Sequence, residues 1–309
     1  MSATRAVVFA YHDVGVRCLK VLLSAKVEIP LVVTVKDDPK ENRWFASVAD
    51  TAREYRLAVV MPDDADGAEL AQRVAELAPD FIFSFYYRSM LGAPILRSAR
   101  SGALNMHGSL LPKYRGRAPV NWAILNGELQ TGATLHYMVE RADAGDIVDQ
   151  LAVPILEDDD AREVFGKVTA AAEIVLARSL PGLIAGNAPR RRQLIEPGQY
   201  FGRRRPEDGR IDWSQPAVRI HNLVRAVAPP FPGAITEVDG RPWQIHRTRV
   251  EPRIITPSER ARLFGAQGAC YAACKDGGVL RILAAATTDG PVDLTRVSRE
   301  LEAHPAALG

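Results

Sequence analysis

The chain has 309 residues, enough for about two domains and a sizeable core. A formal net charge of +2 speaks against a broad nucleic-acid-binding surface, and 47% hydrophobic with 25% charged residues is ordinary for a soluble globular protein. Three cysteines without framework spacing (Cys18, Cys270 and Cys274) speak against a disulfide scaffold or a zinc cluster, and read as core thiols. No apolar run approaches the roughly 18 residues of a spanning helix. The N-terminal run is too short for a signal peptide, so a cytoplasmic protein is expected.

Ala6–Ala10 (AVVFA) reads as a buried strand, followed by a helix over about Val16–Ala25 with Val16, Leu19, Leu22 and Leu23 on one face. Leu31–Val35 is the second strand, Glu41–Tyr55 a helix and Leu57–Val60 a short strand. Ala68–Leu77 is amphipathic, with Leu70, Val74 and Leu77 on one stripe. Phe81–Phe85 (FIFSF) is a strand, Pro94–Ala99 a short helix, and Ala103–Met106 a further strand. Thr131–Val139 and Ile147–Val153 continue as strands, and a helix from Asp158–Asp160 to about Ile184 ends at Gly186-Asn187-Ala188-Pro189. This rhythm predicts an α/β fold: a doubly wound, Rossmann-like, mostly parallel sheet.

After about Arg190 the pattern changes to short strands at Ala234–Val238, Trp243–Val250, Cys270–Lys275 and Val279–Ala284, interrupted by a helix near Pro216–Ala228. These predict a smaller, β-barrel-like (OB-like) C-terminal domain. The expected division is a catalytic domain over 1–189, a linker over 190–209 and the barrel over 210–309. Two short basic runs, Arg190–Arg192 and Arg203–Arg205, read as solvated surface or as a local anion site.

Parallel sheets bind ligands beyond the carboxyl ends of their strands, which points to the turns after Phe9, Phe85 and Met106. The first turn, AYHDVG, lacks the glycine fingerprint of dinucleotide binding, which disfavours NAD or FAD. Asn105 and His107 are two residues apart on a strand and share a face. With Asp143 they form an amide donor, an imidazole and a carboxylate, a set able to stabilise an oxyanion, move a proton and tune the histidine. Each alone also has an ordinary structural reading, as a turn, a cap or a satisfied core histidine. The intervening loop, Gly108-Ser109-Leu110-Leu111-Pro112 and Arg115-Gly116-Arg117-Ala118-Pro119, is costly to order unless it lines a site.

The segment HGSLLPKYRGRAPVNWAILNGELQTGATLHYMVERADAGDI resembles the core signature of the folate-dependent formyltransferases. FAYHDVG, FSFYYRSML, FGRRRPEDGRIDW and HNLVRAVAPPFPGA extend the resemblance toward members that formylate UDP-4-amino-4-deoxy-L-arabinose for lipid A modification and polymyxin resistance. In those members the formyltransferase half is fused to a dehydrogenase/decarboxylase. No second α/β unit follows here, so a stand-alone enzyme is expected.

The resemblance implies Asn105, His107 and Asp143 as catalytic residues and 10-formyltetrahydrofolate as the formyl donor, with no metal. It places the folate against Tyr86, Tyr87, Arg88, Met90, Leu91, Arg117 and the loop Val139, Glu140, Arg141, Ala142 and Asp143. It assigns the UDP-linked amino sugar to Tyr11, His12, Asp13 and Gly15, with Arg203 and Arg204. Asn105 would donate to the tetrahedral oxyanion, and His107 would either stabilise it or carry a proton. Two alternatives are methionyl-tRNA formyltransferase, which the low net charge and the first turn disfavour, and a non-catalytic nucleotide-binding module. A monomer and a homodimer are both compatible with the sequence.

Overall fold

The computed structural model describes residues 3–36, 42–196, 198, 200–254 and 260–309. It divides into two compact units. The first comprises Met1–Pro119, Gln130–Val153 and Gly166–Gly202, and the second Val120–Leu129, Pro154–Phe165 and Arg203–Gly309. Among the described residues no helix is long and apolar enough to cross a membrane.

The first unit is built on a seven-stranded sheet. In chain order its elements are β1 (Arg5–Ala10), α1 (His12–Ser24), β2 (Glu28–Val33), α2 (Val48–Glu54), β3 (Val59–Val60), α3 (Ala68–Glu76), β4 (Phe81–Phe85), α4 (Ala93–Arg97), β5 (Gly102–His107) and β6 (Arg115–Gly116). After α5 (Pro119–Leu125) come β7 (Gln130–Tyr137), β8 (Ile147–Pro154), α6 (Ala161–Ile184) and β9 (Tyr200–Phe201). The strand order is β3-β2-β1-β4-β5-β7-β8. The first five strands run parallel, and β7 joins β5 antiparallel.

β1 and β4 are buried on both faces, which explains their unbroken apolar runs. Val7, Phe9, Leu31, Val33, Ile82 and Ile95 form one core with Leu70 and Val74 of α3. The helix expected over Glu41–Tyr55 begins only at Val48; Glu41 itself lies outside the described residues. Ser47 caps it, its hydroxyl accepting from the Asp50 amide at 3.2 Å. The residues just before it take another role, because Trp44 and Phe45 pack their rings on His12.

The stretch 190–209 is tied down at several points. Arg191 bridges Ile147, and Tyr200–Phe201 pairs in parallel with Arg115–Gly116.

The second unit is a nearly closed antiparallel barrel. It contains α7 (Ala217–Ala226), β10 (Ala234–Val238), β11 (Arg241–Ile254), β12 (Arg262–Ala266), β13 (Ala269–Ala273), β14 (Gly278–Thr287), β15 (Gly290–Pro291), α8 (Leu294–Ala303) and β16 (Ala306–Ala307). The order is β10-β11-β14-β13-β12-β16, and Leu308 bridges back to Val238 to draw the two ends together. Trp213, Ile220, Val224, Trp243, Leu263 and Leu280 fill the interior. The Trp213 indole N–H meets its hydrogen-bonding need by donating to Thr236 Oγ1 at 2.7 Å.

His221 of α7 is buried in this unit. Its Nε2 donates to the Glu157 carbonyl at 3.1 Å, which leaves Nδ1 to accept from the Thr248 hydroxyl at 2.9 Å. Burial, with the nearby Arg225 guanidinium, pushes the imidazole below its ordinary range. The unfolded chain therefore takes up this proton first as pH falls through about 6.5. Its contribution to stability is complete above that pH and lost below it. His221→Gln is expected to flatten the pH dependence of the unfolding free energy below pH 6.5, by up to ~1.4 kcal/mol per pH unit. Urea titrations at pH 7.0, 6.0 and 5.0 measure it, and equal slopes in the two proteins would refute the neutral buried state.

Candidate active site

Asn105 and His107 occupy the carboxyl end of β5, and the antiparallel β7 delivers the residues opposite them. The register pairs Asn105 with His136 and His107 with Thr134. Cross-strand partners project to the same face of the sheet, so His136 meets Asn105 directly. The Asn105 amide nitrogen lies 3.2 Å from His136 Nε2 and 3.3 Å from Asp143 Oδ1. His107 Nδ1 stands 3.6 Å from the same carboxylate oxygen, and His136 Nε2 3.5 Å. The side chains are largely withdrawn from solvent: 7% exposed for His107, 1% for His136 and 13% for Asp143.

Backbone acceptors fix both imidazoles. His107 Nε2 is 2.8 Å from the Tyr114 carbonyl, and His136 Nδ1 is 2.8 Å from the Tyr137 carbonyl. A carbonyl only accepts, so each of these nitrogens carries a proton. The nitrogens left over both face Asp143. Burial alone pushes the Asp143 carboxyl upward. The charge of His107, the hydrogen bond and charge of His136, and the Gly116 N–H outweigh it, holding Asp143 well below the ordinary carboxylate range.

Asp143 is held from several directions. Gly116 N–H donates to its Oδ2 at 2.9 Å, and Gln193 Nε2 donates to its backbone carbonyl at 3.1 Å and to that of Gly145 at 2.6 Å. Arg115, itself buried, donates to the Ala142 carbonyl at 3.2 and 2.7 Å. Asp143 has a φ of 51°, a strained left-handed conformation that these contacts over-determine. Other non-glycine residues share this property: Tyr114 (57°), whose carbonyl meets His107, Ala118 (50°) in the same loop, Tyr86 (57°), and His12 (66°) in the first turn. Thr134 supports the loop after His107, its hydroxyl donating to the Ser109 carbonyl at 2.6 Å and accepting from the Leu111 amide at 3.1 Å.

A cavity of about 710 Å³ opens on the flank of the Asp143 loop, within the size range of small-ligand sites. Val139 and Arg141 line it, with Leu96, Ala103, Met138 and Arg190. Of the other residues the resemblance assigned to the folate, Arg117 donates to the Arg88 carbonyl at 3.3 Å. Leu91 is buried in the core, while Tyr87 sets its ring edge-on to Phe9. Met90 is 58% exposed and Glu140 faces Arg97 at 3.6 Å.

The first turn forms an aromatic nest. His12 stacks on Phe45 at 3.9 Å, and the Arg88 guanidinium lies 4.4 Å above the Tyr11 ring. Burial, aided by Arg88, brings the His12 imidazole down to about 3, so it serves as a neutral plate whose Nδ1 accepts from the Asp13 amide. The Asp13 carboxylate accepts from the Ala46 amide at 2.9 Å. Gly15 is buried against Ala10 and Val48, where the absence of a side chain lets α1 approach β1. Arg203 and Arg204 belong to the second unit. There Arg204 lies 5.0 Å above the Trp122 ring and donates to the Asp208 carbonyl. Among the described residues no group of three or more His, Cys, Asp and Glu side chains is placed to hold a metal ion.

The family model described as formyl transferase matches residues 12–180, and that of the formyl transferase C-terminal domain matches residues 204–295. The chain belongs to the formyl transferase family. Solved structures share its fold at low identity. An N-formyltransferase from Helicobacter canadensis, in complex with folinic acid and dTDP-3-aminofucose, superimposes with a TM-score of 0.72 at 20% identity, over 91% of this chain and 99% of its own. WlaRD, a sugar 3N-formyl transferase in the presence of dTDP and 5-N-formyl-THF, gives 0.72 at 19% identity, over 95% and 99%. HypX from Aquifex aeolicus, in complex with tetrahydrofolic acid, gives 0.63 at 20% identity, over 97% of this chain and 48% of its own.

Gly108, the residue after His107, has no room for a side chain. A Cβ there would overlap the Tyr86 hydroxyl, which is itself buried. Gly108→Ala is expected to destabilise this formyltransferase by ~1–3 kcal/mol. Adding Tyr86→Phe, which removes the nearest atom, should recover part of the loss. Chemical denaturation of the single and double variants measures both effects; a Gly108→Ala protein of unchanged stability would contradict this packing.

Proposed function

We propose that this formyltransferase moves the formyl group of 10-formyltetrahydrofolate to the amine of a nucleotide-linked amino sugar. One observation carries the reading: Asn105 and His107, at the carboxyl end of β5, both meet Asp143 Oδ1, at 3.3 and 3.6 Å. The donor's ring system would lie against the Asp143 loop on the side of these three groups, none of which lines the cavity that Val139 and Arg141 share with Gly102 and Ala103. The aromatic first turn around Tyr11 and His12 suits a nucleotide-sugar.

The sugar amine attacks the formyl carbon with its lone pair, and the carbonyl π pair moves to oxygen. Asn105 donates to that oxyanion. The amine nitrogen releases a proton to this cluster. The C–N10 bond then breaks, its electron pair leaves with the folate nitrogen, and that nitrogen takes up the proton. His107 Nε2 is committed to the Tyr114 carbonyl, so the proton path runs along the side of the imidazole that faces Asp143.

The segments FAYHDVG, FSFYYRSML and FGRRRPEDG favour UDP-4-amino-4-deoxy-L-arabinose as acceptor, a role in lipid A modification. The structural relatives in complex with dTDP-3-aminofucose or dTDP make dTDP-linked sugars the competing acceptors. A formylation assay across UDP- and dTDP-linked amino sugars, with product mass as readout, separates them. Asn105→Ala is expected to lower kcat by about 10²–10³-fold, and His107→Ala and Asp143→Ala should also lose most turnover. Folded variants that keep near-normal rates would rule out this site.

A further inference from the structure

We propose that His136 is a positioning residue for the reaction: in its neutral form it occupies the Asn105 amide, and by taking up a proton it releases that amide to the reacting carbonyl. The inference rests on the formyl-transfer reading above.

The argument is one of donor allocation. An amide nitrogen has two hydrogens. Asn105 directs one to His136 Nε2 at 3.2 Å and the other to Asp143 Oδ1 at 3.3 Å. The reverse placement of the amide would set its oxygen against the carboxylate, so the nitrogen end belongs here. Both hydrogens are thus committed, and a developing oxyanion finds none free.

One acceptor has to withdraw. Asp143 is poorly suited, because the Gly116 N–H fastens its carboxylate and Gln193 holds its backbone carbonyl. His136 is well suited. Its Nδ1 hydrogen is anchored on the Tyr137 carbonyl, so a proton arriving at Nε2 converts that nitrogen from acceptor to donor. The new N–H faces Asp143 Oδ1, 3.5 Å away, and the imidazolium no longer accepts from Asn105.

The titratable groups around this ring are Asp143 and, across it, His107; Arg115 binds the neighbouring Ala142 carbonyl. The proton comes from the amine nitrogen as the N–C bond forms. It returns to the folate N10 as the C–N10 bond breaks, so the cycle closes with no net proton taken up. Placing the same carboxylate between two imidazoles gives this proton two seats, one of which controls Asn105.

Two measurements test the role. His136→Gln can still accept from Asn105 through its carboxamide oxygen but cannot take a proton. Its kcat is expected to fall on the order of 10²-fold, with KM for both substrates within about twofold of wild type. A variant that matches wild-type kcat overturns the inference while leaving formyl transfer intact. A wild-type protein that formylates no amino sugar overturns the formyl-transfer reading, and this role with it. Independently of turnover, the ring ¹⁵N signals of His136 in the ¹⁵N-histidine-labelled full chain should show the Nδ1–H neutral tautomer. An Nε2–H tautomer overturns the allocation described here.

Discussion

The pairing of β5 with β7 is the contact on which the candidate active site depends. A parallel sheet delivers strand ends to one side, but consecutive residues on one strand cannot surround a reacting atom. The antiparallel neighbour solves this by bringing a second chain direction against the same edge. Its register sets His136 opposite Asn105 and Thr134 opposite His107, and its exit leads into the loop that carries Asp143. A shift of one residue would turn His136 to the other face and remove it from Asn105. Thr134 also supports the backbone at Ser109 and Leu111, so the same register orders the loop after His107.

Much of the fold was legible because burial on both faces leaves a strong pattern. Phe81–Phe85 and Ala234–Val238 have the bounds expected from the sequence, and β1 extends the expected strand by one residue. The less legible elements are those whose cues are local and mixed. The helix α2 starts late because Ser47 offers a cap and the aromatic pair before it packs elsewhere. β12 (RLFGA) is short and interrupted by glycine, and it becomes a strand through pairing with β13 and β16. α8 was missed although Asp293 marks its start by accepting from the Thr295 and Arg296 amides.

The site divides in the same way. Asn105, His107 and Asp143 stand in a segment that resembles the formyltransferase signature, and the fold brings all three together. His136 lies inside the same segment, yet nothing in its immediate sequence separates it from any histidine on a strand. Its significance arises from the cross-strand register, a non-local property that one sequence does not display. The role of Arg115 is non-local for a similar reason: it is buried, and its partner is the backbone carbonyl of Ala142.

Gln193 extends this to the chain beyond the motif. Its carboxamide spans the carbonyls of Asp143 and Gly145, fastening the strained turn from a segment that carries no reacting group. The orientation of the carboxylate is therefore governed in part from fifty residues away. Two formyltransferases with identical residues from His107 to Asp143 need not share a rate. A change at residue 193 would remove two hydrogen bonds from the turn, a route by which reaction efficiency could drift in evolution while the motif that names the family stays intact.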